Sequence, residues 1–412
     1  MTMQNAYGPS WFVSPWNFAD HSAADRRRLV IHDTTLRDGE QQAGIVFSVD
    51  QKVRIASALD ELGLDRIEAA MVAVSEDDRT AVRRIVESGP RAEIWTIARS
   101  LSGDVDMAID CGVHGVGVIL LGSEQYCKIF GWTLQQAIDK ALAAAERARN
   151  GGLETSLLIA DSPRLPMDQL ELVIEQASGS GHFTSLALMD TFGTLSPEGT
   201  RRLIDTVRTM TGLPLEFHGH NDFGMATANA MAALCAGANI IHTSVLGLGE
   251  RVGNSALEEV AVAARLLYGA ESGIDLSKLT AVANLVMDET GISMAPHKAV
   301  VGRTITHIES GTVASEYVRW TAMGEDLQWL FPFVPSLVGG AEIELVLGKG
   351  SGMANVQAAL DRLGLDIDND DKRAVLAAVK SEASRIGRTL TLEEFQALVQ
   401  RTAGNAVAAM PE

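Results

Sequence analysis

Basic residues, cysteine and long apolar runs are scarce in this 412-residue chain, and each shortage removes a class of explanation. Lysine and arginine number 34 against 53 aspartates and glutamates, a formal net charge of −19 that repels phosphate backbones and anionic lipid headgroups at long range. Nucleic acid and membrane surfaces are therefore not expected as partners. The three cysteines, Cys111, Cys127 and Cys235, are odd in number and far apart. They fit buried thiols in a reduced, cytoplasmic protein better than a disulfide scaffold. No stretch reaches the ~18 apolar residues that a membrane span needs. Residues 1–27 carry Trp11, Phe12, Trp16 and Phe18 but no basic start followed by an apolar run. They read as an arm packed on its own body or on a second subunit, not as a signal peptide.

What the chain does have is a 46% hydrophobic composition, enough to bury one large domain and one or two smaller ones. Between residues 28 and 272 the sequence predicts eight short β-rich runs, each followed by a loop and a helical stretch. The runs are Leu29 to Asp33, Arg66 to Met71, Glu93 to Arg99, Gly115 to Leu120, Thr155 to Asp161, Ser185 to Asp190, Leu215 to His220 and Ile240 to Leu246. Most are nearly continuous apolar strings, as parallel strands covered on both faces require. Helical periodicity fills the gaps, for example over Trp132 to Arg149 and Gly224 to Ala236. Eight such units point to an α/β fold of the (β/α)8 TIM-barrel type, with a doubly wound open sheet as the competing architecture. Downstream, residues 273–335 read as a linker or accessory subdomain, broken at Pro332-Phe-Val-Pro335, and residues 336–412 as a helical C-terminal subdomain. There Gly348 to Gly352 and Asn369 to Asp371 serve as punctuation.

A barrel of this kind places its chemistry at the C-terminal ends of its strands. Asp38 follows the first expected strand, Glu68 lies in the second, Arg99 ends the third, Asp190 and Thr191 end the sixth, and His218 and His220 end the seventh. Side chains two apart in a strand share a face, so the His-x-His pair can grip one ion, with Asp38 joining once the sheet closes. One carboxylate and two imidazoles leave about half of an octahedral shell open, which a 2-oxo acid can chelate. Arg37 would present a fixed cation to a developing oxyanion, or form a structural ion pair with Glu68 or Glu250. Thr191 offers its hydroxyl to a substrate carboxylate or caps the next helix. The glycine-rich loop Gly247 to Asn254 follows the eighth strand and can bring backbone amides to an anion, and Asn254 can add an oxygen to the metal shell.

Asp33-Thr-Thr-Leu-Arg-Asp-Gly-Glu-Gln41, Ile67-Glu68, Asp190-Thr-Phe-Gly193, His218-Gly-His-Asn-Asp-Phe-Gly224 and Gly247-Leu-Gly-Glu-Arg-Val-Gly-Asn254 resemble, in order, the motifs of the DRE-TIM metallolyases. The nearest branch is the isopropylmalate, homocitrate and citramalate synthases, and the likeness spans roughly residues 28–352. It implies a divalent metal (Mg, Mn or Zn) on Asp38, His218 and His220, with Asn254. It also implies Arg37 near the reacting carbonyl and Thr191 near the oxo-acid carboxylate. Gln41, Glu68, Arg99 and Asp190, placed at the barrel mouth with them, are the further substrate-binding candidates. Synthases of this branch condense an acyl-CoA with a 2-oxo acid, giving a 2-substituted malate and free CoA. The loop at 247–254 lacks the cysteine of the acyl-CoA lyases, which favours condensation. A metal-dependent aldolase or carbon-carbon lyase is the alternative, and a barrel that binds without turnover the third.

The departures lie downstream. Histidines that flank Glu309-Ser-Gly311 in the family fall on Ile308 and Val313, and Gly350 stands where another histidine is usual. In relatives this subdomain reaches the neighbouring subunit's site, so the resemblance implies a homodimer with exchanged C-terminal subdomains. His307 and Tyr317 are the nearby substitutes for the missing acid/base group, and Glu40, Glu250 and Glu309 the carboxylate candidates. The chain ends before the long regulatory domain of the feedback-inhibited isopropylmalate synthases, so leucine-type control is not expected.

Overall fold

A computed structural model of the chain describes residues 6–18 and 28–404, and the backbone of 408–409. Eight parallel strands form a closed barrel: β1 Val30–Asp33, β2 Arg66–Ala70, β3 Glu93–Ala98, β4 Gly115–Leu120, β5 Glu154–Ile159, β6 Ser185–Asp190, β7 Leu215–Gly219 and β8 Ile240–Thr243. Each strand pairs with the next, and β8 returns to β1 with His242 opposite His32 and Thr243 opposite Asp33. That last ladder rules out the doubly wound open sheet, whose two edge strands stay apart.

Alternation along each strand sorts its side chains. Ile31, Ile67, Phe217 and Ile241 are buried on the outer face beneath the helices, while His32, Glu68, Glu216, His218 and His242 are buried on the opposite parity, inside the barrel. Space inside is tight. A Cβ on Gly115 would stand 2.5 Å from the Trp95 ring, so glycine on β4 is what lets that indole lie within the ring of strands.

The helices begin where their caps dictate. Val49–Leu62 starts after a Ser48/Gln51 capping box, and Leu134–Asn150 after a Thr133/Gln136 box, two residues later than the apolar periodicity beginning at Trp132 suggests. Strand ends differ from expectation for a related reason. β8 stops at Thr243, not Leu246, because the chain turns through Val245–Gly247 with Leu246 left-handed at φ 59°.

One compact unit runs from Pro15 to Met294 and holds the barrel with helix Leu279–Thr290. A second comprises the segment ending at Ser14 and everything from Ala295 onward. Within it, strands Tyr7–Gly8 and Trp11–Phe12 form a small hairpin whose Phe12 ring lies 4.6 Å from that of Trp329, and the Phe12 N–H donates to the Pro332 carbonyl at 3.1 Å. The expected N-terminal arm is thus described only over residues 6–18; residues 1–5 and 19–27 lie outside the described residues. Helices Met353–Leu363, Asn369–Ile386 and Leu392–Ala403 surround Val356, Leu360, Val375, Val379 and Phe395. Asn369 to Asp371, expected as punctuation, is the first turn of a helix: Asp368 caps the amides of Asp370 and Asp371, and acidic groups suit a helix N-terminus. Among the described residues no helix is long and apolar enough to cross a membrane.

Candidate metal centre

Asp38 leaves β1 through a tight turn in which its N–H donates to the Thr34 carbonyl at 2.8 Å. His218 belongs to β7, and His220 follows directly, bridged to Asn254 across the mouth. The three side chains are 2%, 1% and 4% exposed, and each offers a ligand atom within 4.8 Å of the others. His218 Nε2 is 3.6 Å from Asp38 Oδ2 and 3.2 Å from His220 Nε2.

Electrostatics prepares these groups as ligands. Burial alone would raise Asp38, but the Arg37 guanidinium, then His218 and His220, hold its carboxyl well below the usual carboxylate range. Burial lowers both histidines, His218 the more, with His220 adding to the effect, so both rings are neutral at pH 7. A metal needs this set: an ionised carboxylate and two neutral imidazoles.

Ring geometry supplies the fit test. Imidazole lone pairs lie in the ring plane, so one ion can serve two rings only where their planes cross nearby. The planes of His218 and His220 meet at 71°. Asn254 Oδ1 is buried without a protein partner while its Nδ2 donates to the Leu248 carbonyl at 3.2 Å. The residues present therefore fit a divalent ion. Loop 247–254 is shaped to hold that asparagine. Gly253 has φ +92°, and a Cβ there would meet the Gly247 carbonyl oxygen at 1.8 Å.

A second buried group, His32, Glu216 and His242, also gathers three ligand atoms within 4.8 Å. Its imidazoles stack at 15° with centroids 4.4 Å apart, so their planes do not meet near either nitrogen. Glu216 is already engaged by His242 Nε2 at 2.7 Å, by the Ser185 hydroxyl, and by Arg66 at 3.4 Å. This is a polar lining of the barrel, not an ion site. It was not singled out from the sequence, although the shared parity of Glu216 with His218 was a usable signal.

Around the candidate metal ligands the structure divides the expected site residues. Arg37 lies between Asp38 at 2.6 Å and Glu68 at 3.0 Å and touches Gln41 Oε1 at 3.3 Å. Glu250 donates its N–H to Asp38 Oδ1 at 3.1 Å, and its side chain is 56% exposed, 3.7 Å from Arg251. The Thr191 hydroxyl accepts the Asp161 N–H at 2.8 Å, which leaves its own proton to give.

Other residues are committed elsewhere. Glu40 pairs with the buried Lys52 at 2.6 Å and accepts the Phe47 N–H, beside a cleft of about 370 Å³ that Arg37, Gln41 and Met71 also line. Asp190 accepts from the amides of Thr194 and Leu195. Arg99 clasps Asp104 through two nitrogens and is 57% exposed. His307 and Tyr317 belong to the second unit, His307 on strand His307–Ile308 with Nε2 3.7 Å from Glu344, and Tyr317 half-buried in helix Gly311–Ala322. In the same unit Glu309 accepts the Gly350 N–H at 2.9 Å.

The chain is similar to known proteins throughout. It is 38% identical to homocitrate synthase AksA of Methanopyrus kandleri over 358 residues, covering 87% of this chain and 88% of that one. It is 33% identical to (R)-citramalate synthase CimA of Methanocaldococcus jannaschii over 378 residues, covering 92% of this chain and 75% of that one. The solved hydroxymethylglutaryl-CoA lyase of Pseudomonas aeruginosa shares the fold at a TM-score of 0.58 and 23% identity, covering 68% of this chain and 96% of that one. Residues 28–286 match the HMGL-like family, from the first barrel strand through the last barrel helix and beyond, and the chain belongs to that family.

Proposed function

We propose that this protein condenses an acyl-CoA such as acetyl-CoA with a 2-oxo acid, giving a 2-substituted malate and free CoA. One observation carries the reading: an Asp38, His218, His220 tripod at the barrel mouth of a chain aligned over most of its length with proteins named homocitrate and citramalate synthase. Asp38, His218 and His220, with Asn254 beside them, would hold a divalent ion, Mg, Mn or Zn, which when bound would supply Lewis acidity for the condensation.

The chain's own groups do the rest. Thr191 donates its hydroxyl proton to the oxo-acid carboxylate, and Gln41 and Glu68 hold Arg37 in place. Arg37, kept charged by Glu68 and Asp38, faces the oxygen that becomes anionic. Glu250 is the base. Its backbone is tied to a metal ligand and its carboxylate has only a distant ion-pair contact. It removes a proton from the acyl methyl group, the resulting carbanion forms the new bond to the keto carbon, and the keto oxygen takes up a proton. Water then adds its oxygen to the acyl carbon of the thioester, and CoA leaves as the thiol.

The reading extends to a cytoplasmic homodimer with exchanged C-terminal subdomains, divided at residues 28–272, 273–335 and 336–412. None of the three cysteines forms a disulfide, and Val313 and Val318 expose apolar surface on helix Gly311–Ala322. Light scattering tests the dimer. Thiol release from acetyl-CoA across a panel of 2-oxo acids, with Mg or Mn present, tests the reaction. Thiol formed with one of the acids is the expected result. Pyruvate or glyoxylate released from a hydroxy acid, with no thiol in any assay, would replace condensation by carbon-carbon cleavage.

A further inference from the structure

The mouth of the barrel is chemically two-sided. The metal ligands and Arg37 occupy the side of β1 and β7. Across from them, Ile97 of β3, Leu158 of β5, and Ala187 and Met189 of β6 form an apolar cluster with Ile119 of β4 and Met71 just beyond β2. Register fixes its position. Ile119 pairs with Leu158 and Leu158 with Ala187, while Met189 is the direct partner of His218 on the neighbouring strand. Partners in register share a face, so Met189 points into the barrel beside a metal ligand. Apolar layers ordinarily fill barrel interiors completely. Here Met71 and Ile119 stay partly exposed, so this layer has a surface to offer.

The basic side chains around this layer are already paired with carboxylates. Arg37 holds Asp38 and Glu68, Lys52, in the cleft that Met71 lines, holds Glu40 and Asp78, Arg99 holds Asp104, Arg164 holds Asp161, and Arg251 holds Asp222 at 2.8 Å. A second carboxylate on the oxo acid would enter an apolar wall with no partner, and an unpaired buried charge is costly.

We infer that the 2-oxo acid used by this protein carries an uncharged, apolar side chain, received by Met71, Ile119, Leu158 and Met189. The inference rests on the condensation proposed above and specifies its substrate class. Apolar contacts discriminate only modestly per methylene, so the sharpest contrast is between an alkyl group and a carboxylate.

Calorimetric titration of the manganese-loaded protein with 2-oxoisovalerate, 2-oxobutanoate, 2-oxoglutarate and oxaloacetate, without acyl-CoA, reads the pocket directly. The two alkyl acids are expected to bind at least about 10-fold more tightly than the two dicarboxylates. Met71→Arg, just beyond β2 at a partly exposed position, should narrow or reverse that preference. Equal or tighter binding of either dicarboxylate by the unmodified protein overturns the inference. Preferential binding of the alkyl acids without thiol release from acetyl-CoA overturns the condensation and leaves the pocket assignment standing.

Discussion

The imidazoles of His218 and His220 cross at 71° with their Nε2 atoms 3.2 Å apart, whereas His32 and His242, deeper in the same barrel, lie nearly parallel at 15°. Two pairs of buried histidines, one at the end of β7 and the other on the adjoining β8 and β1, therefore have different capacities. The first can share one ion; the second can only stack and hydrogen-bond.

Asp38→Ala and His218→Ala should each lower metal affinity by at least about 100-fold, since losing even an outer partner of a ligand costs 10–100-fold. His32→Phe should leave affinity unchanged. Equilibrium dialysis against manganese checks all three.

Glu250→Gln should lower kcat by about 10²–10⁴-fold with metal affinity intact, the range expected when a general base is removed. The Glu250 backbone, not its carboxylate, contacts Asp38, so the amide keeps the local hydrogen bond. Steady-state thiol release, run beside the dialysis assay, separates the proton-transfer role from a ligand role.

Lys52 is 2% exposed and holds both Glu40 and Asp78 at 2.6 Å. Lys52→Met strands two carboxylates at a largely buried site and should cost about 3–5 kcal/mol, the penalty for breaking a buried ion pair from one side. Urea unfolding measures it. Glu40→Gln should lower stability without abolishing thiol release.

Burial, then the neighbouring His242, lowers the His32 imidazole from 6.5 to about 4. Between those values the unfolded chain binds a proton that the folded chain does not. Its contribution is therefore fully present above 6.5 and lost as pH falls toward 4. His32→Phe should remove up to about 1.4 kcal/mol per pH unit from the acid-side slope in that window, read from urea midpoints.

Eight short apolar runs separated by helical stretches made the barrel legible, and alternation in the seventh run, where Glu216, His218 and His220 carry one parity and Leu215 and Phe217 the other, made the histidine pair legible. What alternation cannot show is where a strand stops serving the sheet and starts serving the site. β8 ends early because Ser244 and Leu248 bond to each other and Leu246 turns left-handed. Lys52 shows the same limit differently. Its place three, four and seven residues before Ile55, Ala56 and Leu59 puts it on the apolar stripe of helix Val49–Leu62, but only the tertiary approach of Glu40 and Asp78 shows what it pairs with there. Glu40 consequently stood out as a base candidate on its place in the motif, although its carboxylate is held by Lys52 and the Phe47 amide. Arg37 forms the structural ion pair with Glu68 and lies beside Asp38, while its role toward an oxyanion belongs to the proposed reaction.

The most direct test is the rate of CoA thiol release from acetyl-CoA with a panel of alkyl 2-oxo acids, using chelator-stripped protein before and after manganese is added. The expected result is no release from stripped protein, recovery with manganese, and no recovery in His218→Ala. Release that is indifferent to manganese, or undiminished in His218→Ala, would contradict it.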